Sequence, residues 1–109
     1  MSIREIKWTD KEKKVARKAF DLAYEREMEE IKTLLTEKVS DLKTESDVWA
    51  IEDFLYDRRK NVDAKYDYRY SKLILVFGRL LSEGYLKETD ILELNEDKRE
   101  LIKKISMFE

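Results

Sequence analysis

The stretch TDKEKKVARKAFDLAYEREMEEIKTLLTEKVSDL, residues 9–42, decides the fold class, because it has the pattern of one uninterrupted amphipathic helix. It opens with Thr9 and Glu12 in the S/T-x-x-E form of a capping box, which marks a helix N-terminus. Apolar residues then recur at steps of three or four, so they form one stripe along the helix. These residues are Ala16, Phe20, Tyr24, Met28, Ile31, Leu35, Val39 and Leu42. We predict a helix that continues to Asp41 or Leu42.

A helix of that length has a consequence for assembly. At a rise of about 1.5 Å per residue it would extend roughly 45–50 Å. A compact monomer of this size has a diameter of roughly 25–30 Å. Part of the apolar stripe would therefore stay in water unless a second chain covered it, and the sequence predicts a homodimer.

The rest of the chain favours three further helices. The second is predicted from Ser46 or Asp47 to about Val62, and the third from about Tyr70 to Glu83. The third is apolar nearly all round, which is typical of a central buried helix. Gly84 is predicted to cap it in the left-handed conformation, with a hydrophobic contact from Tyr85 or Leu86.

The last helix is predicted to follow a short turn over residues 89–93 and a cap at Asn95. Its apolar side would be formed by Leu101, Ile102, Ile105 and Phe108, closing over the third helix. The predicted architecture is all-α: a single domain with a long helical hairpin stalk (about 9–62) and a small helical head (about 68–109). Two copies would form a homodimeric helical bundle.

Composition excludes several classes of function. The chain has 23 Lys and Arg against 25 Asp and Glu, a net charge of -2, which argues against a nucleic-acid partner. It contains neither Cys nor His, the usual nucleophile, base and metal ligands. Its only glycines, Gly78 and Gly84, lie outside any phosphate-binding loop motif. We therefore expect no enzymatic activity, no cofactor and no metal.

Hydropathy gives a further expectation about location. The longest apolar run, residues 73–77, is too short for an integral membrane segment. The N-terminus, Met1-Ser-Ile-Arg-Glu-Ile, lacks the apolar core of a signal peptide. We expect a cytoplasmic protein, with a peripheral position at a membrane as the alternative.

The second predicted helix has two distinct faces when wound at about 100° per residue. The apolar face is formed by Val48, Ile51, Phe54, Leu55 and Val62. The other face is formed by Trp49, Glu52, Asp53, Tyr56 and Arg59. Aromatic residues among opposite charges are typical of a protein interface. An alternative interpretation is that Trp49 packs over the first helix and the charges form weak exposed pairs.

Three tyrosines, Tyr66, Tyr68 and Tyr70, follow the second helix and alternate with Asp67 and Arg69. Such an alternation can stack nucleic-acid bases, but that function needs a wider basic surface. We predict instead that these tyrosines wedge helices together and hydrogen-bond through their hydroxyl groups.

Two stretches, Asp47-Val-Trp-Ala-Ile-Glu-Asp-Phe-Leu-Tyr-Asp-Arg-Arg59 and Lys65-Tyr-Asp-Tyr-Arg-Tyr-Ser71, resemble the fluorescence recovery protein family of cyanobacteria. The resemblance implies an all-α homodimer with a stalk and a head. It further implies binding to the C-terminal domain of the photoactivated orange carotenoid protein and faster return of that protein to its orange form. That return ends energy quenching at the phycobilisome, on the cytoplasmic side of thylakoid membranes.

The resemblance also implies which residues act. The functional cluster of the family falls on Trp49, Asp53 and Arg59, beside Glu52 and Tyr56 on the same predicted face. A further partner contact in the head falls on Leu75. This chain departs from the common family pattern at Glu52, where many members have histidine. It also departs at Leu75, where an aromatic residue is common, and at Gly78, where alanine is common. The alternative is a related dimeric binding module with a different protein client.

Overall fold

The computed structural model describes residues 6–108, and the short N-terminal stretch without a signal-peptide core lies largely outside them, as does Glu109. Every regular element in this range is helical, which confirms the all-α fold class. The elements are α1 (Asp10–Ser40), α2 (Glu45–Lys65), α3 (Leu73–Glu83), a 3-10 turn (Glu88–Ile91) and α4 (Glu96–Ser106).

Helix α1 begins and ends where the sequence predicts. Glu12 donates its backbone N–H to the Thr9 hydroxyl at 3.1 Å, and Thr9 donates its own to the Glu12 carboxylate at 3.1 Å. The reciprocal pair satisfies two helix-terminal donors that otherwise lack partners. The helix runs 31 residues and Asp41 caps its C-terminus. It is the main reason that the molecule is elongated, with extents of 54 × 23 × 23 Å.

Helix α2 is longer than predicted at both ends. Thr44 caps it and Asp47 returns the hydrogen bond, so the helix starts at Glu45. It continues three residues past Val62, to Lys65. The prediction that α2 has a buried apolar stripe is wrong for the single chain. Val62 is buried, whereas Val48 and Leu55 are exposed. The reason is that α1 lies beside α2 in the hairpin but covers little of its outer part.

The core lies around α3, as predicted. Five apolar residues of this helix are buried, namely Leu73, Ile74, Val76, Phe77 and Leu80. Helix α4 packs closely on α3 because Gly78 has no side chain. A Cβ at Gly78 would lie 2.8 Å from the Cβ of Ile105, and closer still to its Cγ2. Gly84 ends α3 at φ 86°, and Leu86 donates its N–H to Leu80 O at 3.1 Å, which confirms the predicted left-handed cap.

The apolar side of α4 is shorter than predicted. Asn95 caps the helix through Lys98 N–H, as expected, and Ile102 is fully buried. Phe108, however, is 87% exposed. That part of the prediction is wrong because α4 ends at Ser106, so Phe108 lies past the last helical turn and does not continue its apolar stripe.

The N-terminal half of α1 belongs to the same core. Ala16, Ala19 and Ala23 are almost fully buried there, together with Phe20. Trp8 precedes the helix and is buried against Tyr70, with ring centroids 5.9 Å apart. The remaining half of α1 and most of α2 form a hairpin that extends beyond the core.

The tyrosine run wedges the helices together, as predicted. The rings of Tyr66 and Tyr68 meet Phe20 edge to face, with centroids 5.4 and 4.9 Å apart. The Tyr66 hydroxyl donates to Glu27 at 2.8 Å, and the Tyr68 hydroxyl donates to the Lys13 carbonyl at 3.3 Å. Edge-to-face pairs add roughly 0.5–1.5 kcal/mol beyond the area that they bury.

Candidate protein-interaction surface

The surface that we call the α2 face consists of Trp49, Glu52, Asp53, Tyr56 and Arg59. Because α2 is continuous from Glu45 to Lys65, the helical repeat places all five on one side. All five are exposed in the single chain, Trp49 by 57% and Tyr56 by 66%. The exposure of Trp49 disfavours the alternative in which this ring is covered by α1.

Exposed apolar residues extend the α2 face. Val48 and Leu55 border it on the helix, giving an exposed arc of about 160° at 100° per residue. At the hairpin end, Val39 and Leu42 are exposed as well. Soluble proteins seldom leave large contiguous apolar patches in water, and such patches commonly mark interaction sites.

The charges of the α2 face are open to solvent. The Arg59 guanidinium lies 3.7 Å from Asp63, one helical turn further, and both side chains are mostly exposed. An exposed pair of this kind contributes little to stability, about 0.3–0.5 kcal/mol. Arg59 can therefore exchange Asp63 for a carboxylate of another protein without a large loss.

Leu75 lies on a different element from the other five predicted residues. It is 42% exposed on α3, while its neighbours Ile74 and Val76 are buried. This exposed leucine, between buried neighbours, is a separate apolar contact point at the core end of the molecule. The structure thus divides the predicted site residues between α2 and α3.

A buried ionic cluster, not expected from the sequence, joins these two elements to α1. Its centre is Glu27, which is 2% exposed and lies 2.7 Å from the Lys65 ammonium. The Glu27 carboxylate also accepts hydrogen bonds from Arg58 at 3.2 Å and from the Tyr66 hydroxyl at 2.8 Å. Lys65 in turn donates to Glu83 at 2.7 Å. We call these five residues the Glu27 cluster.

Aromatic rings complete the surroundings of Lys65. Its ammonium lies 5.5 Å from the Tyr66 ring centroid and 5.0 Å from that of Tyr85. Burial and the hydrogen bond to Glu27 raise the pKa of Tyr66 well above its usual range. Burial, with the neighbouring carboxylate of Glu30, raises the pKa of Tyr85 to about 12. Both hydroxyl groups therefore stay protonated at neutral pH.

One signal in the sequence could have identified Glu27. Glu27 lies seven positions after Phe20 and four before Ile31, and both of these belong to the apolar stripe of α1. This spacing puts Glu27 on the stripe itself, where an apolar residue would be expected. A carboxylate at such a position is either solvent-exposed by local distortion or paired inside the protein. The partner, Lys65, is 38 residues away along the chain, and helical periodicity cannot identify it.

Two further ion pairs fix α1 to the C-terminal elements. Glu12 pairs with the buried Lys98 at 3.0 Å, and Arg26 pairs with Asp90 at 2.6 Å. Burial opposes ionisation of Glu12, but hydrogen bonds from the backbone of Asn95 and Thr9 outweigh it and lower its pKa. Burial likewise opposes ionisation of Asp90, yet the Arg26 guanidinium lowers the pKa of this carboxyl.

Within residues 6–108, no group of three or more side chains is arranged to hold a metal ion. No helix in the same range combines the length and apolar character that a bilayer span needs. The fold and the α2 face define a class of protein: a small helical protein with an exposed surface of aromatic and charged side chains on one helix.

The comparison with known proteins identifies the family. The family model described as photoprotection regulator fluorescence recovery protein matches residues 8–106, and the chain belongs to this family. The fluorescence recovery protein of Synechocystis sp. is 33% identical over 102 residues, covering 94% of each chain.

Solved structures agree with this assignment. The structure of the Fremyella diplosiphon fluorescence recovery protein has a TM-score of 0.89 and 35% identity, covering 93% of this chain and 99% of that one. The Synechocystis structure has a TM-score of 0.89 and 33% identity with the same coverage. The resemblance stated from the sequence is confirmed, and the chain is a member of a family of photoprotection regulators.

Proposed function

We propose that this protein binds the photoactivated orange carotenoid protein, through the C-terminal domain of that partner, and accelerates its red-to-orange reversion. The reversion ends energy quenching at the phycobilisome. The observation that carries the proposal is the exposed α2 face in a chain of this family. The protein acts in the cytoplasm, with a peripheral position at the thylakoid membrane as the alternative. One domain does this, with a stalk of about residues 9–62 and a head of about residues 68–109.

The active form is a homodimer. The exposed apolar residues of the hairpin support this part of the proposal, because Val39, Leu42, Val48 and Leu55 need a cover that α1 and α2 do not supply. A second copy is the partner of matching shape and composition, and its hairpin would exclude water from this surface.

Because no covalent bond is made or broken, the protein can accelerate the reversion only through binding. A binding protein speeds a conformational change only by binding the barrier, or an intermediate beyond it, more tightly than the starting state. Trp49 supplies contact area, while Asp53 and Arg59 fix orientation, either across the dimer or toward the client. No covalent step is involved, and the protein is not an enzyme in the chemical sense.

The direct test mixes purified protein with photoactivated orange carotenoid protein and follows absorbance recovery in the dark. We expect a several-fold acceleration at substoichiometric amounts. The absence of acceleration from a sample shown by circular dichroism to be folded would contradict the proposal.

Two substitutions separate assembly from client binding. Trp49→Ala is expected to weaken the dimer, because truncating a buried interfacial tryptophan commonly costs about 2–4 kcal/mol. Arg59→Leu is expected to keep the dimer and lose recovery activity.

Lys32→Leu is the matched control, since Lys32 also forms an exposed pair with a carboxylate on its own helix, Glu29, but on α1. Size-exclusion chromatography tests the expected effect of each substitution on the dimer, and recovery assays on the same samples test its effect on activity. A fully active Arg59→Leu dimer would remove Arg59 from the client surface.

The second candidate is the same scaffold with another protein client. It is favoured by the departures at Glu52 and Leu75, both of which are exposed and available to a partner. Glu52→His and Leu75→Phe, made together, should raise recovery activity if the client is the orange carotenoid protein. A folded wild-type dimer without activity, and without gain on these substitutions, would favour the second candidate.

A further inference from the structure

The helix that carries most of the proposed site is held by the core at one end only. Val62 and Lys65, both in its last turn, are the buried residues of α2. Between Glu45 and Asn61, every residue of α2 is exposed or half-buried. The direction of the α2 face relative to Leu75 on α3 therefore depends on what fixes this last turn.

The Glu27 cluster lies at this last turn and contains Lys65, one of its two buried residues. Both oxygens of the Glu27 carboxylate are used: one lies near the Tyr66 hydroxyl and the other near Arg58, and Lys65 is within 3.0 Å of each. Lys65 continues the chain of contacts to Glu83, in the last turn of α3. One carboxylate thus connects α1, the C-terminal turns of α2 and, through Lys65, α3.

Ionic hydrogen bonds fix geometry in a way that apolar contacts do not, because each requires a particular distance and angle. Buried ion pairs add little net stability, since desolvation offsets the attraction. Burial and the hydrogen bond to Glu27 raise the pKa of Tyr66, so its hydroxyl stays protonated as a donor to this carboxylate.

We propose that Glu27 and Lys65 are positioning residues that set the tilt and rotation of α2, so that the α2 face and Leu75 meet one client in fixed relative geometry. This inference rests on the proposed function for its second half, the presentation to a client. Its first half, the orientation of α2, can be tested on the protein alone.

The test uses two variants. Glu27→Gln removes the fully buried carboxylate beside Lys65 and Arg58 and leaves Lys65 with only the partly exposed Glu83 as counterion. It should lower the midpoint of thermal unfolding by more than about 10 °C. The double variant Glu27→Gln/Lys65→Met removes both charges. The amide introduced at position 27 still accepts from the Tyr66 hydroxyl, and Glu83 keeps its contact with Arg79 at 3.3 Å. The double variant should therefore recover most of the lost thermal stability.

Orientation is measured by pulsed electron spin resonance between two spin labels. The chain has no cysteine, so Ser46→Cys near the start of α2 and Glu93→Cys before α4 provide unique attachment sites, both exposed. Labelled chains are diluted with unlabelled ones, so that distances within one chain dominate. We expect a narrow distribution for the wild-type background and a broader or shifted one for the double variant.

Recovery activity supplies the second readout. The double variant, assayed at a temperature at which it is fully folded, should lose most of the acceleration that the wild type gives. An unchanged distance distribution overturns the proposal, and so does a broadened distribution with full activity. If the wild-type chain itself shows no acceleration, the proposed function fails, and the spin-label distances alone decide whether the Glu27 cluster orients α2.

Discussion

Replacing Glu12 by glutamine tests how strongly a buried ion pair holds α1 to the C-terminal helix. The Glu12 carboxylate accepts from the Thr9 and Asn95 backbone, each at 3.1 Å, and from Lys98 at 3.0 Å. The side chains of Glu12 and Lys98 are 7% and 5% exposed. The amide would leave the ammonium buried without a counterion and would turn one acceptor into a donor that faces other donors.

The loss of stability expected for Glu12→Gln follows from the burial of this ion pair. Breaking one partner of a buried pair typically costs about 3–5 kcal/mol. Each kcal/mol lowers the unfolding midpoint of a domain of this size by about 4–8 °C. We therefore expect Glu12→Gln to lower the midpoint by at least about 12 °C, measured by circular dichroism at neutral pH.

The matched control is Glu29→Gln, because Glu29 pairs with Lys32 at 3.0 Å with both side chains about two-thirds exposed. This change should cost no more than about 0.5 kcal/mol. If Glu12→Gln and Glu29→Gln lowered the midpoint by the same small amount, the reasoning from burial would be refuted.

The remaining predictions concern pH and the two glycines. Because the pKa values of Glu12 and Asp90 are lowered on folding from ordinary values of 4.5 and 3.8, their stabilisation is present above those values and lost below them. Thermal unfolding at decreasing pH should show a falling midpoint below about pH 4.5; a constant midpoint would contradict the lowered values. Gly84→Ala should cost about 1–2 kcal/mol in urea unfolding, from the positive φ alone, because no atom lies near the added Cβ. Gly78→Ala should gain about 1 kcal/mol of helix propensity but lose about 1–3 kcal/mol to the clash with Ile105, a net loss that a more stable variant would disprove.

Local signals in the sequence predicted most helix limits, because capping is a short-range interaction. Thr9 with Glu12, Gly84 and Asn95 each act within a few residues of their own position. Thr44 was missed as the start of α2 since its partner is Asp47, and aspartate is a less familiar member of the capping box.

Periodicity predicted which residues share a face, but not what covers that face. Val48 and Leu55 have the spacing of buried residues, yet they are exposed in one chain. The Glu27–Lys65 pair was missed for the opposite reason. In a chain with 44% charged residues, the usual interpretation of any one charge is a solvated surface, and only the fold brings these two together.

The two tryptophans are independent fluorescent reporters on two parts of the molecule. Trp8 is buried in the core, 5.1 Å from the Lys98 ammonium, whereas Trp49 stands more than half exposed on the hairpin. Indole emission shifts to the blue when the ring leaves water, so the two rings contribute different parts of one spectrum. A change confined to the red component would report coverage of the hairpin by another chain, while loss of the blue component would report melting of the core. With one residue replaced by phenylalanine in each of two variants, association and unfolding could be followed separately without an attached dye.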